Sequence, residues 1–506
     1  MPMRRGRRWL AAALVGLTLA PAAACAAAAD THWYRIAGED GAVLGWASES
    51  RMAAGDGMEV VAQQDIVLAE PGHSPGRLTA HSVRRDDRAG HTVLLDSLST
   101  VDGSWTRNTA RIQGAKAVIV HATAFDRRTV VVALAADVRF DGGEDMLGAW
   151  LASGAPRLEI KDFDADDMAV ERVVYEIAPA RPDDPPMLRA VRRERYEGES
   201  LVAVSRLLLD QGGRVTRAVQ PMLGGRFTVS AVDQATAQAP HPPYRLLASV
   251  MRKSPYHIPD AATVGHMRYR FGFEDGLAFA PPQTGEQRVV PDDDGVVLDI
   301  CNGCGPGLAT DPATLADALR PTAWLQSDDP RIRAIAEPVA RMKLSDTRKM
   351  EILTRITNAT ISTVDFNGHF SALEALQRRR GDCTETAVLL AALGRAAGIP
   401  TRVANGLIYS SEQYHGVSNA FMPHSWTLAF VDGHWKSFDA AVDAGFDSTH
   451  IALNAGDGDA RSVNAGAQLA SLLVWKSMAE VKRRDAGGPA VPSPPVRTSS
   501  DPSPGR

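Results

Sequence analysis

One stretch of the sequence predicts a helix that has to be buried on every side. Asp382 is a good N-cap residue, and Glu385, three positions later, completes a capping-box pattern. Residues 386–393 follow without a single charge, and Gly398 and Pro400 then stop the helix. Because a helix that is apolar all round lies inside a domain, the sequence predicts a core built around the helix that begins just after Asp382.

Cys383 falls in the first turn of this predicted helix. The backbone N–H groups of a first turn have no partner within the helix, so they favour the thiolate, which is the form that attacks carbon. The same N–H groups can stabilise an oxyanion. A lone cysteine is more often a small buried apolar side chain than a nucleophile, so the interpretation depends on a base nearby.

A predicted antiparallel hairpin supplies such a base. The strand that ends at residue 431 alternates in size and polarity, and Asp432-Gly433 is the strongest short hairpin signal. A two-residue turn places residue 431 opposite residue 434. His424 then becomes the diagonal cross-strand neighbour of Asp439, at about 7–8 Å between backbones. An aspartate so placed can hold the imidazole tautomer while the other ring nitrogen faces a nucleophile.

Three other histidines compete with His424 for this role, namely His415, His434 and His450. The hairpin register puts His434 on the opposite face. His415 falls in a polar loop, where a solvated side chain is the simpler expectation. His450 stays a competitor, and His424 is the favoured base because the hairpin places it beside Asp439.

The residues around these two patterns resemble the bacterial transglutaminase-like superfamily. The matching positions are Gly381-Asp382-Cys383 with Glu385, Gly398-Ile399-Pro400-Thr401-Arg402, Gly406, His424-Ser425-Trp426, and Gly433-His434-Trp435 ahead of Asp439. The resemblance is close over residues 345–445 and loose over residues 311–480. It implies a core in which a cysteine at a helix start meets a histidine and an aspartate on adjacent strands of an antiparallel sheet.

The resemblance also implies a role for each side chain of the site. Cys383 is implied as the nucleophile, His424 as the general base and acid, and Asp439 as the residue that orients the imidazole. Thr386 departs from the family pattern, in which an aromatic residue or a histidine is common. The side chain that completes the oxyanion hole stays unassigned, and no metal or other cofactor is implied.

The N-terminus has the pattern of a secretory signal peptide over residues 1–29. Four arginines precede an apolar run that is too short to span a bilayer, and small residues follow. Cys25 resembles a lipobox cysteine, which would make the protein a membrane-anchored lipoprotein, but the usual leucine before it is missing. The alanine run around Cys25 offers ordinary cleavage sites, so a periplasmic or secreted protein without an anchor is favoured.

Cleavage of that peptide would also make the net charge of the chain more negative. The formal net charge of the whole chain is −5, and loss of the four N-terminal arginines with no acidic residue brings it to about −9. Binding to nucleic acid needs a basic surface that neutralises phosphates. An acidic chain is therefore not expected to bind nucleic acid.

The 506 residues divide into four predicted parts. After the signal peptide, residues 30–305 are β-rich, with room for two sub-domains, and carry no catalytic motif, so a scaffold or a binding domain is expected. Residues 306–483 form the transglutaminase-like domain, and a disordered tail is expected over residues 484–506. The predicted fold class is α+β, with a β-rich region followed by a papain-like or transglutaminase-like domain whose cysteine-bearing helix packs on an antiparallel sheet.

Cys301 and Cys304 are a second candidate site. Zinc would need two more ligands, and neither a second C-x-x-C nor a paired histidine lies nearby. A thioredoxin-like role would need the motif at a helix start, which the following glycines and proline do not favour. In an exported protein a local disulfide is expected, which leaves Cys383 as the odd thiol.

These patterns and the resemblance together imply acyl transfer at an amide bond through a thioester, with a peptide or protein as substrate. Water as the acceptor gives a peptidase or amidase, whereas an amine as the acceptor gives cross-linking. The resemblance to bacterial members favours hydrolysis. The alternative is a non-catalytic envelope protein whose β region binds a ligand and whose cysteine domain is a scaffold.

Overall fold

The computed structural model describes residues 30–482, apart from residues 70–74, 102, 223–224, 275–276, 365–368 and 415. The predicted signal peptide with Cys25, the predicted tail and His415 lie outside the described residues. Within the described part of the chain, no helix is both long and apolar enough to cross a membrane.

The N-terminal part of the chain forms one large sheet. Its strands are Asp30–Gly38, Val43–Ala54, Gly57–Leu68, Gly76–Asp86, Thr92–Val101, Ser104–Ile112, Lys116–Thr123, Arg127–Ala133, Val138–Arg139, Arg157–Asp164, Ala169–Ile177, Arg189–Glu197, Ser200–Leu209, Val215–Met222 and Gly225–Val232, numbered β1 to β15. They lie in the order β8 to β1 and then β15 to β9, and they pair antiparallel except for β9 with β10. Strands β13 and β14 pair as an antiparallel hairpin.

This sheet curls so that its two ends approach each other. Ala117 and Ile119 of β7 share a buried apolar cluster with Val138 of β9 and Phe163 of β10, although β7 and β9 stand near opposite ends of the strand order. Side-chain packing brings the two edges together, which limits the exposure of unpaired strand edges. The N-terminal region is therefore β-barrel-like.

The C-terminal part mixes helices with shorter sheets. The helices of the chain are Leu147–Ser153, Gln234–Ala237, Leu246–Val250, Asp260–Thr263, Pro312–Asp317, Pro330–Ala340, Asp346–Thr360, Ala372–Arg378, Cys383–Ala396 and Ala460–Ala470, numbered α1 to α10. The remaining strands are Arg252–Lys253, Met267–Phe273, Gln287–Asp292, Gly295–Ile300, Ser362–Thr363, Arg380–Gly381, Thr401–Ser410, Ala420–Val431, His434–Phe438, Ile451–Gly456 and Leu473–Glu480, numbered β16 to β26. The predicted α+β class is confirmed for the chain as a whole.

Helix α9 lies at the centre of this part, as its charge-free sequence predicts. Every residue from 384 to 395 is buried. The helix packs against α6, α7 and α8 and against β22 and β23 in one continuous apolar core. Gly398 follows the helix with a φ of 83°, the left-handed conformation that glycine adopts after a helix end.

Capping side chains also mark the starts of other helices around α9. The side chains of Asp311 and Asp329 cap α5 and α6, each with proline at the first helical position. Ser371 accepts the backbone N–H of Glu374 and caps α8. These caps fix where the helices around α9 begin.

Two sheets of the C-terminal part also contain strands from before residue 305. Strand β16 pairs with β23, and β17 pairs with both β19 and β26. Residues 267–273 thus lie beside residues 473–480, more than two hundred positions later in the chain. The strands on either side of the predicted boundary at residues 305/306 share these two sheets.

The barrel-like sheet and the cysteine-bearing part contact each other through α10. This helix packs on β22 and on β13. Arg461 near its start donates to Glu171 and Glu197 of the large sheet, at 3.4 and 2.8 Å. Arg128 of β8 pairs with Asp328 at 2.9 Å on the other part. These ion pairs cross between the two parts of the chain.

Candidate active site

The start of α9 is built by the predicted capping box. The Asp382 carboxylate accepts the N–H of Thr384 at 2.7 Å, and the Glu385 carboxyl accepts the N–H of Asp382 at 2.9 Å. The Cys383 N–H also belongs to the first turn and has no acceptor within the helix. It is therefore the first-turn N–H group next to the thiol that remains available for a substrate oxygen.

Glu385 ties the helix start to a second segment of the chain. Its other oxygen accepts the N–H of Phe370 at 3.0 Å, and the side chain is fully buried. Burial, together with the neighbouring Asp382 carboxylate, raises the pKa of Glu385 well above its usual range. Through its two oxygens the Glu385 side chain holds two backbone segments around Cys383.

Replacing Glu385 with glutamine is expected to lower the free energy of unfolding by about 1–3 kcal/mol. Glutamine has one acceptor oxygen, so one of the two buried N–H groups would face an amide NH₂. Urea unfolding followed by circular dichroism measures the change. Glu337→Gln on the exposed side of α6 is the control, since the exposed ion pair of Glu337 with Arg333 contributes about 0–1 kcal/mol. Equal stability losses in the two variants would contradict this role of Glu385.

The predicted hairpin has the predicted register. Val431 lies opposite His434 and Thr427 opposite Phe438. Asp432 and Gly433 both have positive φ, at 51° and 88°, which is the two-residue turn that this dipeptide favours. Strand β23 begins at residue 420 and pairs with β22.

This register brings His424 and Asp439 together. His424 Nε2 lies 2.7 Å from Asp439 Oδ2, and both side chains are buried. The second oxygen, Asp439 Oδ1, accepts the N–H of Ala441 at 2.7 Å. The Cys383 thiol lies near enough to the His424 imidazole to raise its pKa, and both residues line one cleft. The structure thus brings the three predicted site residues together.

The electrostatics of this site favour an imidazolium. Burial opposes the charge of His424, but the Asp439 carboxylate and the Cys383 thiol outweigh it and raise the pKa of His424 to about 9. Burial also opposes the charge of Asp439, and two neighbouring imidazoles outweigh it, so the pKa of Asp439 lies well below its usual range. At neutral pH the pair is an imidazolium beside a carboxylate.

His450 is a site residue that the sequence interpretation missed. Its Nε2 lies 3.0 Å from Asp439 Oδ2, the same oxygen that contacts His424. His450 precedes β25, and no local pattern links it to the hairpin. The predicted position of His434 on the opposite face is consistent with the exposed His434 side chain. Thr386 is buried and donates to the Asp382 carbonyl at 2.7 Å.

Among the described residues, two groups of side chains have the composition of metal ligands. The nearest ligand atoms of His424, Asp439 and His450 lie within 4.8 Å of one another, and the hydrogen bonds between them account for these distances. The other group contains Cys301 and Cys304, which form the expected disulfide. Cys383 is the free cysteine among the described residues.

A cleft of about 430 Å³ opens beside Cys383 and His424. Its walls come from β22, β23, α10 and the segment around α3, which lies between the barrel-like sheet and the cysteine-bearing part. The apolar side chains that line it are Leu246, Leu247, Val250, Met251, Val364, Ile408, Met422, Val442 and Val463. None of the described residues that line the cleft is a lysine or an arginine. Half-buried Cys383 is thus accessible from an apolar groove.

A cysteine at the start of a buried helix, facing an imidazole–carboxylate pair on an antiparallel hairpin, is the arrangement of a transglutaminase-like domain. Residues 333–440 match the family model of the transglutaminase-like superfamily core. This match confirms the resemblance seen in the sequence. The segment belongs to that superfamily, which is a superfamily of enzymes. A search of curated proteins finds no match.

Solved structures match this chain at low similarity. The periplasmic domain of TgpA from Pseudomonas aeruginosa is 17% identical with a TM-score of 0.26, and the match covers 60% of this chain and 92% of that one. A β-barrel-like protein from Brucella abortus is 13% identical with a TM-score of 0.33, and that match covers 40% of this chain and 95% of the other. Neither is similar enough to transfer an activity.

Proposed function

We propose that the protein is an exported cysteine enzyme that transfers acyl groups from amide bonds through a thioester, with Cys383, His424 and Asp439 as its catalytic residues. The observation that carries the proposal is the hydrogen bond between the His424 imidazole and the Asp439 carboxylate beside Cys383, with Cys383 and His424 lining the same cleft. Nucleophile, base and orienting carboxylate in this order are the parts that nucleophilic catalysis needs.

The proposed reaction begins with the Cys383 thiolate paired with the His424 imidazolium. The thiolate attacks the carbonyl carbon of the amide, and the Cys383 N–H, in the first turn of α9, stabilises the oxyanion. The C–N bond then breaks as His424 gives its proton to the leaving amine, which leaves an acyl thioester on Cys383. An acceptor attacks the thioester while His424 takes its proton, and the thiolate returns as the acyl product departs.

Water is the proposed acceptor, so the product is a carboxylic acid and the enzyme is a peptidase or amidase. The preference for water over an amine rests on the resemblance to bacterial members of the superfamily. The proposed substrate is a peptide or protein with an apolar side chain next to the scissile amide. The apolar walls of the cleft, without lysine or arginine among the described lining residues, support a neutral apolar group rather than a carboxylate there.

The proposed location is the periplasm or the extracellular space. The signal-peptide pattern supports export, and the Cys301–Cys304 disulfide independently supports an oxidising compartment. Anchoring through a lipid on Cys25 is the disfavoured alternative, since the third position before this cysteine is Ala22 rather than the usual leucine.

Turnover of a fluorogenic peptide amide with an apolar residue on the acyl side tests the proposal. We expect amine release that is unchanged by EDTA, with the free acid as the main product when a primary amine is added at millimolar concentration. Mass spectrometry of the products distinguishes the acid from the amide adduct. His434→Gln, at an exposed imidazole on the same hairpin, is the control that should keep full turnover.

Three outcomes would count against parts of this proposal. A predominant amide adduct would make the protein a transferase, and loss of turnover in EDTA would indicate a metal enzyme. Absence of turnover with every peptide amide, together with a Cys383 no more reactive than free cysteine, would favour the non-catalytic envelope protein with a ligand-binding β region.

A further inference from the structure

A second imidazole contacts the proposed catalytic carboxylate. Asp439 Oδ2 accepts hydrogen bonds from His424 Nε2 at 2.7 Å and from His450 Nε2 at 3.0 Å. Asp439 Oδ1 accepts the Ala441 N–H at 2.7 Å. Both oxygens of the carboxylate are therefore hydrogen-bonded, and His450 supplies a second bond to Oδ2.

His450 is itself fixed from its other side. Its Nδ1 lies 3.0 Å from Asp447 Oδ1, and the same oxygen accepts the N–H and the hydroxyl of Thr449 at 2.8 and 2.6 Å. The ring is fully buried, packs edge-on against Trp426 at 5.2 Å between centroids, and lies tilted against Phe446 at 4.8 Å. A side chain so constrained can position the carboxylate that it contacts.

We propose that His450, held by Asp447, is a positioning residue for the Cys383–His424–Asp439 site and sets the protonation range of His424 by sharing the charge of Asp439. The inference rests on the proposed function, because it names how the same site is tuned. His450 is not among the described residues that line the cleft, so it acts through the two residues of the site that it contacts, Asp439 by a hydrogen bond and His424 by ring packing.

The titratable groups around His450 include two carboxylates and one imidazole. Its ring faces Asp439 and His424 on the hairpin and Asp447 on its own segment, and Tyr269 donates to the carbonyl of Ser448 beside that segment. Burial opposes the charge of His450, and the two carboxylates outweigh it and raise its pKa to about 9. A cationic His450 neutralises part of the Asp439 charge, so less of that charge stabilises the His424 imidazolium.

Two variants separate the hydrogen bond from the charge. His450→Gln keeps an amide N–H near the position of Nε2 but removes the charge, and His450→Ala removes both. We expect His450→Gln to move the alkaline limb of the pH profile of kcat/KM upward by about half a pH unit or more, because His424 would hold its proton longer. We expect His450→Ala to lower kcat about 10- to 100-fold with little change in KM, because Asp439 could then rotate.

Asp447→Asn covers the case in which the His450 variants do not fold. It leaves the ring in place but removes the carboxylate that favours its charge, so it should also move the alkaline limb upward. His434→Gln is the matched control for loss of an imidazole on the hairpin. A titration of the His424 imidazole by NMR in the full chain gives the same comparison without any substrate.

The outcomes separate the inference from the proposed function. If folded His450→Gln and Asp447→Asn proteins have the pH profile and the His424 titration of the parent protein, His450 is only structural and the inference is wrong. If the parent protein has no turnover and an unreactive Cys383, the proposed function fails, while the NMR titration still decides whether His450 tunes His424.

Discussion

Replacing Cys383 with alanine is expected to lower peptide amide turnover by about 10⁶-fold, the order of loss found when a nucleophile is removed from a triad. The variant retains the apolar core around α9, because Cys383 occupies the first turn of the helix and is half-buried. Rapid alkylation at mildly acidic pH should disappear with the thiol, since no thiolate–imidazolium pair remains. Turnover and site-resolved mass spectrometry after alkylation measure the two losses.

Cys301→Ser combined with Cys304→Ser is the matched control for this experiment. These sulfurs form a disulfide across three positions and do not line the cleft, so their loss should leave turnover intact. Retention of substantial turnover in folded Cys383→Ala would exclude a thioester at this residue. Loss of turnover in both proteins would instead indicate a shared effect on folding.

The parts of the site that depend on neighbouring residues could be predicted from the sequence. The capping pair Asp382 and Glu385 marks the start of α9 within four residues, and the charge-free run after it requires burial. The turn at Asp432-Gly433 then fixes which residues of the two strands face each other. Because caps and two-residue turns are encoded locally, the local patterns together with the family resemblance suffice to bring Cys383, His424 and Asp439 into one site.

The contacts that depend on distant parts of the chain could not be predicted in this way. Nothing periodic in residues 267–273 indicates a partner strand at 473–480, and nothing in β7 indicates that it packs near β9 at the other end of the sheet. His450 reaches Asp439 through the loop after β24, whose path is set by packing rather than by a turn signal. Long-range side-chain packing decides these contacts, and a single sequence carries no local record of them.

The cleft is lined by residues of the cysteine-bearing part and by residues of the segment that connects it to the barrel-like sheet. Its wall contains Leu246 and Met251, which lie between the barrel-like sheet and the cysteine-bearing part. Ion pairs of Arg461 with Glu171 and Glu197 join the same two parts. The segment that connects the parts is therefore also a wall of the groove where a substrate would lie.

Asp439→Asn is expected to lower kcat by about 10⁴-fold, since an asparagine can present the wrong hydrogen-bonding partner to His424 and stabilises no imidazolium. The variant also leaves the charges of the two buried imidazoles, His424 and His450, without the carboxylate that both of them contact. Breaking a buried ion pair from one side costs about 3–5 kcal/mol, so we expect a loss of that order in the free energy of unfolding at neutral pH. Turnover and urea unfolding measure the two effects, and Asp443→Asn, at an exposed carboxylate in the following loop, is the control.

The contribution of these three side chains to the free energy of unfolding depends on pH. His424 and His450 have a pKa of about 9 in the folded chain, above the value of about 6.5 expected when unfolded. Their contribution is therefore complete below about pH 6.5 and is lost as the pH rises through about 9. The lowered pKa of Asp439 adds stability that is present above about pH 4 and is lost as the pH falls.

In Asp439→Asn both imidazoles lose the carboxylate that they share, although His450 keeps Asp447 and His424 keeps Cys383. The free energy of unfolding of the variant should consequently fall less steeply between pH 6.5 and 9 than that of the parent protein. Urea unfolding midpoints at pH 6, 7.5 and 9 for the parent protein, Asp439→Asn and Asp443→Asn test this difference in pH dependence. Parallel curves for all three would show that Asp439 does not hold these imidazoles in their charged form, and the proposed base would then be neutral His424.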